Sequence, residues 1–524
     1  MDLNSIPGYL CSKLTFNGMV KQGITGFPFD VHKAMSLCAH IREEMKKIEE
    51  DVEPRLPPRP LKKGEEKDYT FPARPFKMDG TLSAHGKSFL EKHGLFLIGL
   101  DHVQWRDGAE DKLVKIEGGK LLPATAKMQL SEESTPLKDW FISLGWIPTI
   151  WNFKKDERGK VMRDDKGQPI RTSPKIHEKG EVCPNLMDLP GDMGAMVKEI
   201  ATYFSLKHRF GTINSWLNNE RLPIDGCLTA GSSGITNTHR QKHTVVCNVP
   251  KAEEGVLLGK EMRSLFIPFE GHVQVGFDAA ALENRVEAHY CYSMKGGEAY
   301  AEEVLNGDPH TKNAFVFYPS KLESLSLRFG STSKDDPRFK PFRSRSKNGK
   351  YCLSYGGRGP KLAATLGLPE AMGESLYDAF WDANEPLKLL KERLERFWET
   401  TGEKKWIKGI DGRKLYSRSK HSLVNLLFQS CGAITMEYAF LFIEKWLGGI
   451  QEDSCKRPCF LYKGHVIYRL GFFHDEGQFS CPPEIADELG SLCCRAVVQA
   501  GRYLKLKVPM AGEYVVGKDW SQCH

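Results

Sequence analysis

Two aspartates almost 200 residues apart, Asp278 and Asp475, each lie at the end of an apolar run with strand-like composition. The runs are Val273-Gln274-Val275-Gly276-Phe277-Asp278 and Leu470-Gly471-Phe472-Phe473-His474-Asp475-Glu476. Carboxylates on rigid strand ends can hold two divalent ions about 4 Å apart, an arrangement that stabilises the attacking and leaving oxygens of an in-line phosphoryl transfer. A strand-end aspartate is also an ordinary turn or cap residue, so the pair alone leaves both readings open. Between them Arg343, Lys347, Tyr351 and Tyr355 recur every fourth residue. On a helix they form one slowly drifting stripe of two cations and two rings. Such a stripe suits a nucleoside triphosphate, with cations on the phosphates and rings against sugar and base. A solvated basic helix, or one packing its tyrosines into a core, has the same pattern. Gly349 works against an uninterrupted helix by about 1 kcal/mol relative to Ala.

Taken together these segments resemble the motifs of family A (Pol I-type) DNA polymerases. Asp278-Ala-Ala-Ala-Leu-Glu283-Asn-Arg285 is similar to motif A, the four-spaced stripe to the motif B helix, and His474-Asp475-Glu476 to motif C, in the right order. Further segments point to the branch found in short-tailed bacteriophages: Asn306-Gly-Asp308-Pro-His310-Thr-Lys-Asn313, Trp406 to Arg413, His421-Ser-Leu-Val-Asn425-Leu-Leu-Phe-Gln429 and the closing Trp520-Ser-Gln-Cys-His524. The resemblance covers residues 15–50 and 134–524. It implies an α+β right-hand polymerase fold, its palm an antiparallel sheet and its fingers and thumb helical. The thumb is expected in 1–215 with an insertion at about 50–133, the palm in 216–290 and 421–524, and the fingers in 291–420.

The resemblance also implies roles. Asp278, Asp475 and the backbone carbonyl of Ala279 would hold two Mg²⁺, with Glu476 as a secondary acid or simply a hairpin residue. Glu283 would crowd a ribose 2′-hydroxyl and so select deoxynucleotides, while Arg285 pairs within the protein. Lys347 would neutralise the leaving triphosphate, with Arg343 on its terminal phosphate and His310 nearby, Tyr351 beside the sugar and Tyr355 at the template side. His421, Asn425 and Gln429 would touch minor-groove acceptors shared by all correct base pairs. One departure concerns the family's Thr-Gly-Arg, whose arginine meets the primer end: here the segment is Thr236-Asn-Thr238-His239-Arg240-Gln241, so Thr238 falls at that position and Arg240 reaches the groove from two residues on. Three alanines follow Asp278 where polar residues are frequent, which leaves the metal ligands intact.

The implied activity is primer extension with dNTPs in phage genome replication, in the cytoplasm of an infected bacterium. A single-subunit RNA polymerase shares the metal aspartates and the Lys-x7-Tyr-Gly pattern, but Glu283 argues against it; a two-metal nuclease has no need of the cationic helix. An inactive DNA-binding scaffold is disfavoured because both metal aspartates are kept. The chain begins about 20 residues before Gly26-Phe-Pro-Phe-Asp30, so no 3′→5′ exonuclease domain is expected within it and proofreading would come from a separate polypeptide. The place of the insertion is where some relatives recruit a processivity factor, although a decoration of the thumb or added DNA contacts fit equally well. Primer-template DNA and a helicase-primase complete the expected partners.

The elements that must position these groups are legible in part. At 524 residues the chain can hold several domains, and its net charge of +7 suits a polyanion without demanding one. Fourteen cysteines are scattered without a zinc or disulfide framework and read as reduced thiols. No secretory h-region and no uninterrupted run of 18 apolar residues stands in the sequence, so no membrane span is expected. A helix is predicted over Val31–Glu50, broken by the prolines from Pro54 to Pro75. Apolar residues at Met193, Met196, Val197, Ile200, Phe204 and Phe210 predict a long amphipathic helix leading to Trp216.

Overall fold

The computed structural model describes residues 8–523 apart from 60–71, 99–101, 108–109, 118–119, 122–126, 131–134, 149, 158, 160, 165–168, 179–180, 184–185, 187–188, 190, 403–404 and 418. It divides into two compact units, one formed by residues 1–37 and 213–524, the other by 38–212.

Three helices organise the N-terminal half: α1 (Gly8–Thr25), α2 (Val31–Val52) and α3 (Gly191–Leu217). The last two match the predicted spans closely. Asp30 starts α2 by accepting the Lys33 N–H at 2.9 Å, the satisfaction an exposed helix start needs. In the second unit Val52, Leu137, Phe141, Trp146, Ile200 and Phe204 belong to one buried core. Tyr203 donates its hydroxyl to Glu49 at 2.7 Å, joining α3 to α2. The proline-interrupted stretch, part of which lies outside the described residues, leads to a four-stranded antiparallel sheet over residues 95–121. Residues 8–37 differ from the expected single thumb of 1–215: α1 belongs to the first unit. Its Ser12 hydroxyl donates to Glu437 at 2.8 Å, Gln22 donates to the Ala230 carbonyl at 2.6 Å and Thr25 to that of Pro458 at 2.8 Å. Those three side chains fix it to elements more than 200 residues away in the chain.

The first unit is built on a six-stranded antiparallel sheet. After the hairpin β1 (Ala230–Ile235) and β2 (Gln241–Val245), its strands are β3 (Val273–Ala279), β4 (Gln451–Glu452), β5 (Pro458–Tyr462), β6 (His465–Phe473), β7 (Glu476–Cys481) and β8 (Gly512–Gly517). Their order is β4-β5-β6-β7-β3-β8. β3 is paired on both sides, with Asp278 opposite Glu476 of β7 and Glu513 of β8. Its Val275 and Phe277 are buried, which explains why the sequence reads as a nearly continuous apolar run.

The helices of this unit that matter to the site are α4 (Leu282–Cys291), α5 (Gly297–Asn306), α6 (Pro309–Phe317), α7 (Lys340–Ser354), α8 (Leu423–Trp446) and α9 (Ala486–Tyr503). α8 is long and apolar enough to cross a membrane, yet it is buried within the protein. Its Phe440 ring packs 5.5 Å from Phe277 and 4.1 Å from Phe472, so it is the core helix under the sheet. Gly477 is required there: a Cβ would come within 2.1 Å of the Phe277 ring.

Candidate active site

Asp278 reaches the site from the end of β3, and Asp475 from the tight turn between β6 and β7, where His474 takes a left-handed φ of 62°. The Ala279 N–H donates to the Asp475 carbonyl at 3.1 Å, tying the two backbones together. Both aspartates line a cleft of about 500 Å³ that also takes in Glu476, His243, Arg263 and Lys251. The long separation in sequence therefore collapses to adjacent strands.

Among the described residues no group of three or more His, Cys, Asp or Glu forms a metal cluster. The expected donors, the Asp278 and Asp475 carboxylates and the Ala279 carbonyl, are all hard oxygens with no thiolate or imidazole set among them. That suits Mg²⁺, which keeps water and substrate phosphate oxygens in its shell rather than a full protein cage.

Glu476 lines the same cleft as the two aspartates. Buried, it accepts from the Trp520 indole N–H and, at 2.7 Å, from Gln478, and Arg263 lies 3.6 Å away. The Arg263 guanidinium also sits 4.6 Å over the Trp520 ring. The carboxylate thus ties the closing Trp-Ser-Gln segment to β7. His243 was not singled out by sequence. Its ring packs edge-on at 5.0 Å against His474, and burial, then the neighbouring His474, pushes it down to about 3, so it is neutral.

Glu283 stands in the first turn of α4, 3.5 Å from Arg240, with its side chain about one-third exposed (36%). Burial raises its carboxyl above the usual range, Arg240 lowers it, and the like charges of Asp475 and Glu287 raise it further. Arg285 pairs within the protein, as expected, donating to the carbonyls of Ala280 at 2.8 Å and Pro509 at 2.7 Å. The Thr236 to Gln241 segment, where the Thr-Gly-Arg departure falls, is the turn of the hairpin between β1 and β2. His239 has φ 63°, a conformation that favours glycine. Thr238 is buried in this turn, and Arg240, two residues on, is the arginine that reaches Glu283.

The stripe lies on α7 as predicted, with Tyr355 one residue past its end. Arg343 is held in a two-pronged pair with Asp308, at 2.6 and 3.1 Å. Asp308 also caps α6, accepting from the N–H groups of His310 and Thr311 and from the Thr311 hydroxyl. Burial pushes this carboxyl up, but Arg343 and Thr311 more than offset it and leave it at about 2. Lys347 is exposed. His310 is buried with its ring 6.3 Å from Tyr351; burial and then Lys350 lower it to about 4. Tyr351 is half-buried, its phenol pushed up to about 12 by burial and by Glu283. Tyr355 accepts a hydrogen bond from Gln429 of α8 at 2.9 Å. Asn425 is half-buried on the same helix, whereas His421 stands in the 3₁₀ turn before it, 3.0 Å from Arg358.

Gly349, read from sequence as a weakness of the helix, has a packing reason: a Cβ there would lie 2.8 Å from Leu366 and 3.2 Å from Phe317. Beside it the buried Lys350 ammonium lies 3.0 Å from Glu287 of α4, and Glu287 accepts the Tyr300 hydroxyl of α5 at 2.7 Å. No sequence signal announced this pair, whose members are 63 residues apart. Asp308 was within reach, since Asp-Pro is an ordinary start of a helix.

The family model for DNA polymerase family A matches residues 189–522, and the chain belongs to that family. It is 29% identical over 406 residues to the DNA-directed DNA polymerase of Enterobacteria phage T3, covering 72% of this chain and 50% of the relative. The polymerase of Escherichia phage T7 gives the same identity and coverage. DNA polymerase I of Aquifex aeolicus is 22% identical, over 71% of this chain and 55% of its own. The chain spans about half the length of these relatives. Among solved structures, the POL domain of Pol1 from M. smegmatis, in complex with DNA primer-template and dNTP, aligns with a TM-score of 0.61 at 14% identity, covering 97% of this chain and 70% of that one. The expected α+β polymerase-domain fold is the observed one.

Proposed function

We propose that this chain is a template-directed DNA polymerase that extends a primer 3′-hydroxyl with dNTPs, in the replication of a phage genome in the cytoplasm of an infected bacterium. The observation that carries the reading is the meeting of Asp278 and Asp475 on neighbouring strand ends, with Glu283 and Tyr351 from α4 and α7 close enough to feel Asp475. Two Mg²⁺ held by Asp278, Asp475 and the Ala279 carbonyl would stabilise charge on the attacking and leaving oxygens.

The remaining work falls to the chain's own side chains. Lys347, exposed on α7, meets the triphosphate as a point charge, and Arg343 offers its planar fork to the terminal phosphate once Asp308 yields it. Neutral His310 donates beside them. Tyr351 packs on the sugar, Glu283 crowds its 2′ position, and Tyr355 stacks at the template side. Arg240, Gln429, Asn425 and His421 line the minor-groove side of the primer-template. Residues 38–212 act as the thumb. A separately encoded 3′→5′ exonuclease, a helicase-primase and a processivity factor acting at the 50–133 segment are the partners such an enzyme would work with.

The test is extension of an end-labelled primer-template by the purified chain with Mg²⁺ and dNTPs, rNTPs or neither. Extension with dNTPs, abolished in Asp475→Ala, is expected. Transcripts made from rNTPs without a primer would favour an RNA polymerase, and shortening without nucleotides a nuclease.

A further inference from the structure

Arg240 occupies a rigid place. Its carbonyl accepts the Thr236 N–H at 2.8 Å, the preceding His239 N–H donates to Thr236 at 3.0 Å, and the His239 imidazole meets Arg413 at 2.8 Å. From this braced turn the guanidinium extends to within 3.5 Å of Glu283. Glu283 needs such a partner. Like charges on Asp475 and Glu287 press on it, and two cations act on it, Arg240 and Lys350. Lys350 is already committed to Glu287 in a buried pair, which leaves Arg240 as the cation that faces Glu283 directly among the described residues. A glutamate that is one-third exposed and has three rotatable bonds does not hold one rotamer unaided.

We propose that Arg240 is a positioning residue for sugar selection, fixing the Glu283 carboxylate against the place of the 2′-hydroxyl. The inference rests on the reading of the chain as a dNTP polymerase and adds a residue to its sugar gate. An arginine that met only the primer end would act on every nucleotide alike. One acting through Glu283 changes the preference between dNTP and rNTP, because the primer is the same in both measurements.

The experiment compares kcat/KM for dNTP and for the matching rNTP on one primer-template, in the unaltered chain and in Arg240→Gln, Arg240→Lys, Glu283→Ala and the double variant Arg240→Gln/Glu283→Ala. The dNTP-over-rNTP ratio should fall about two- to fivefold in Arg240→Gln, the range of one partly exposed ion pair. Arg240→Lys should restore most of it. In the Glu283→Ala background Arg240→Gln should leave the ratio where Glu283→Ala alone puts it, since residues acting as a unit are non-additive. An unmoved ratio in a variant that still extends the primer, or an equal fall with and without Glu283, overturns the inference alone. Absence of any dNTP extension by the unaltered chain overturns the polymerase reading and this inference with it.

Discussion

Replacing Lys350 with Met should loosen α7 from α4, and the size of the effect follows from the surroundings. The ammonium and the Glu287 carboxylate are each only 4% exposed and lie 3.0 Å apart. The ammonium makes no well-angled hydrogen bond, so the attraction is Coulombic. Taking Lys350 away leaves a buried carboxylate with the Tyr300 hydroxyl as its remaining donor among the described residues. Breaking one side of a buried pair costs about 3–5 kcal/mol, whereas replacing both members with apolar groups of similar volume is often neutral or stabilising. At roughly 2 °C per kcal/mol for a large unit, Lys350→Met should lower Tm by roughly 6–10 °C. Lys350→Met/Glu287→Leu should recover most of that loss. Thermal melts followed by circular dichroism, with all three proteins at one concentration and scan rate, measure both. A single variant melting within a degree of the unaltered chain, or a double variant no better than the single, would refute the argument.

Other outcomes follow from the same structure. Asp278→Ala and Asp475→Ala should each lower kcat at least about a thousandfold while primer-template affinity, read by anisotropy, stays near its original value; near-normal single-turnover extension by either would remove the site assignment. Gly349→Ala gains about 1 kcal/mol of helix propensity, but overpacking against Leu366 and Phe317 typically costs 1–3 kcal/mol, so denaturant titration should show a net loss of about 1 kcal/mol and a gain would contradict the packing. Burial raises the Glu437 carboxyl to about 7, above its unfolded value of 4.5. The folded state therefore holds that proton more tightly, and the associated stability is complete below pH 4.5 and disappears as pH rises through 7. Glu437→Gln, which can still accept from Ser12, should remove a slope on the order of 3 kcal/mol between those limits; parallel stability curves for the two proteins would show that Glu437 does not titrate there.

What could be read in advance was what repeats locally. Asp278 and Asp475 announced themselves because β3 and β6 are apolar enough to read as strands, and the Arg343 to Tyr355 stripe because four-residue spacing survives on any helix. Long-range pairing left no such trace. Asp308 with Arg343, Lys350 with Glu287 and Arg240 with Glu283 join residues 35 to 63 positions apart, and nothing within a turn of either partner encodes the other. The assignment of α1 to the unit of the sheet is of the same kind, since it depends on Ser12 and Gln22 finding acceptors on α8 and β1. The left-handed turn at His239 was hidden for a different reason. A histidine stands where the backbone turns left-handed, and residue type alone gives no hint that His239 can do what glycine usually does.

Because β3 is laddered on both sides, the sheet acts as a gauge for the reaction centre. Cross-strand spacing in any β-sheet is about 4.8 Å, and the turn holding Asp475 is bonded directly to the strand end that carries Asp278. The separation of the two aspartate backbones is thus a property of sheet geometry and does not depend on loops elsewhere adopting particular conformations. The same logic makes the gauge all-or-none: on heating, catalytic competence should persist until the sheet itself melts and then vanish with it.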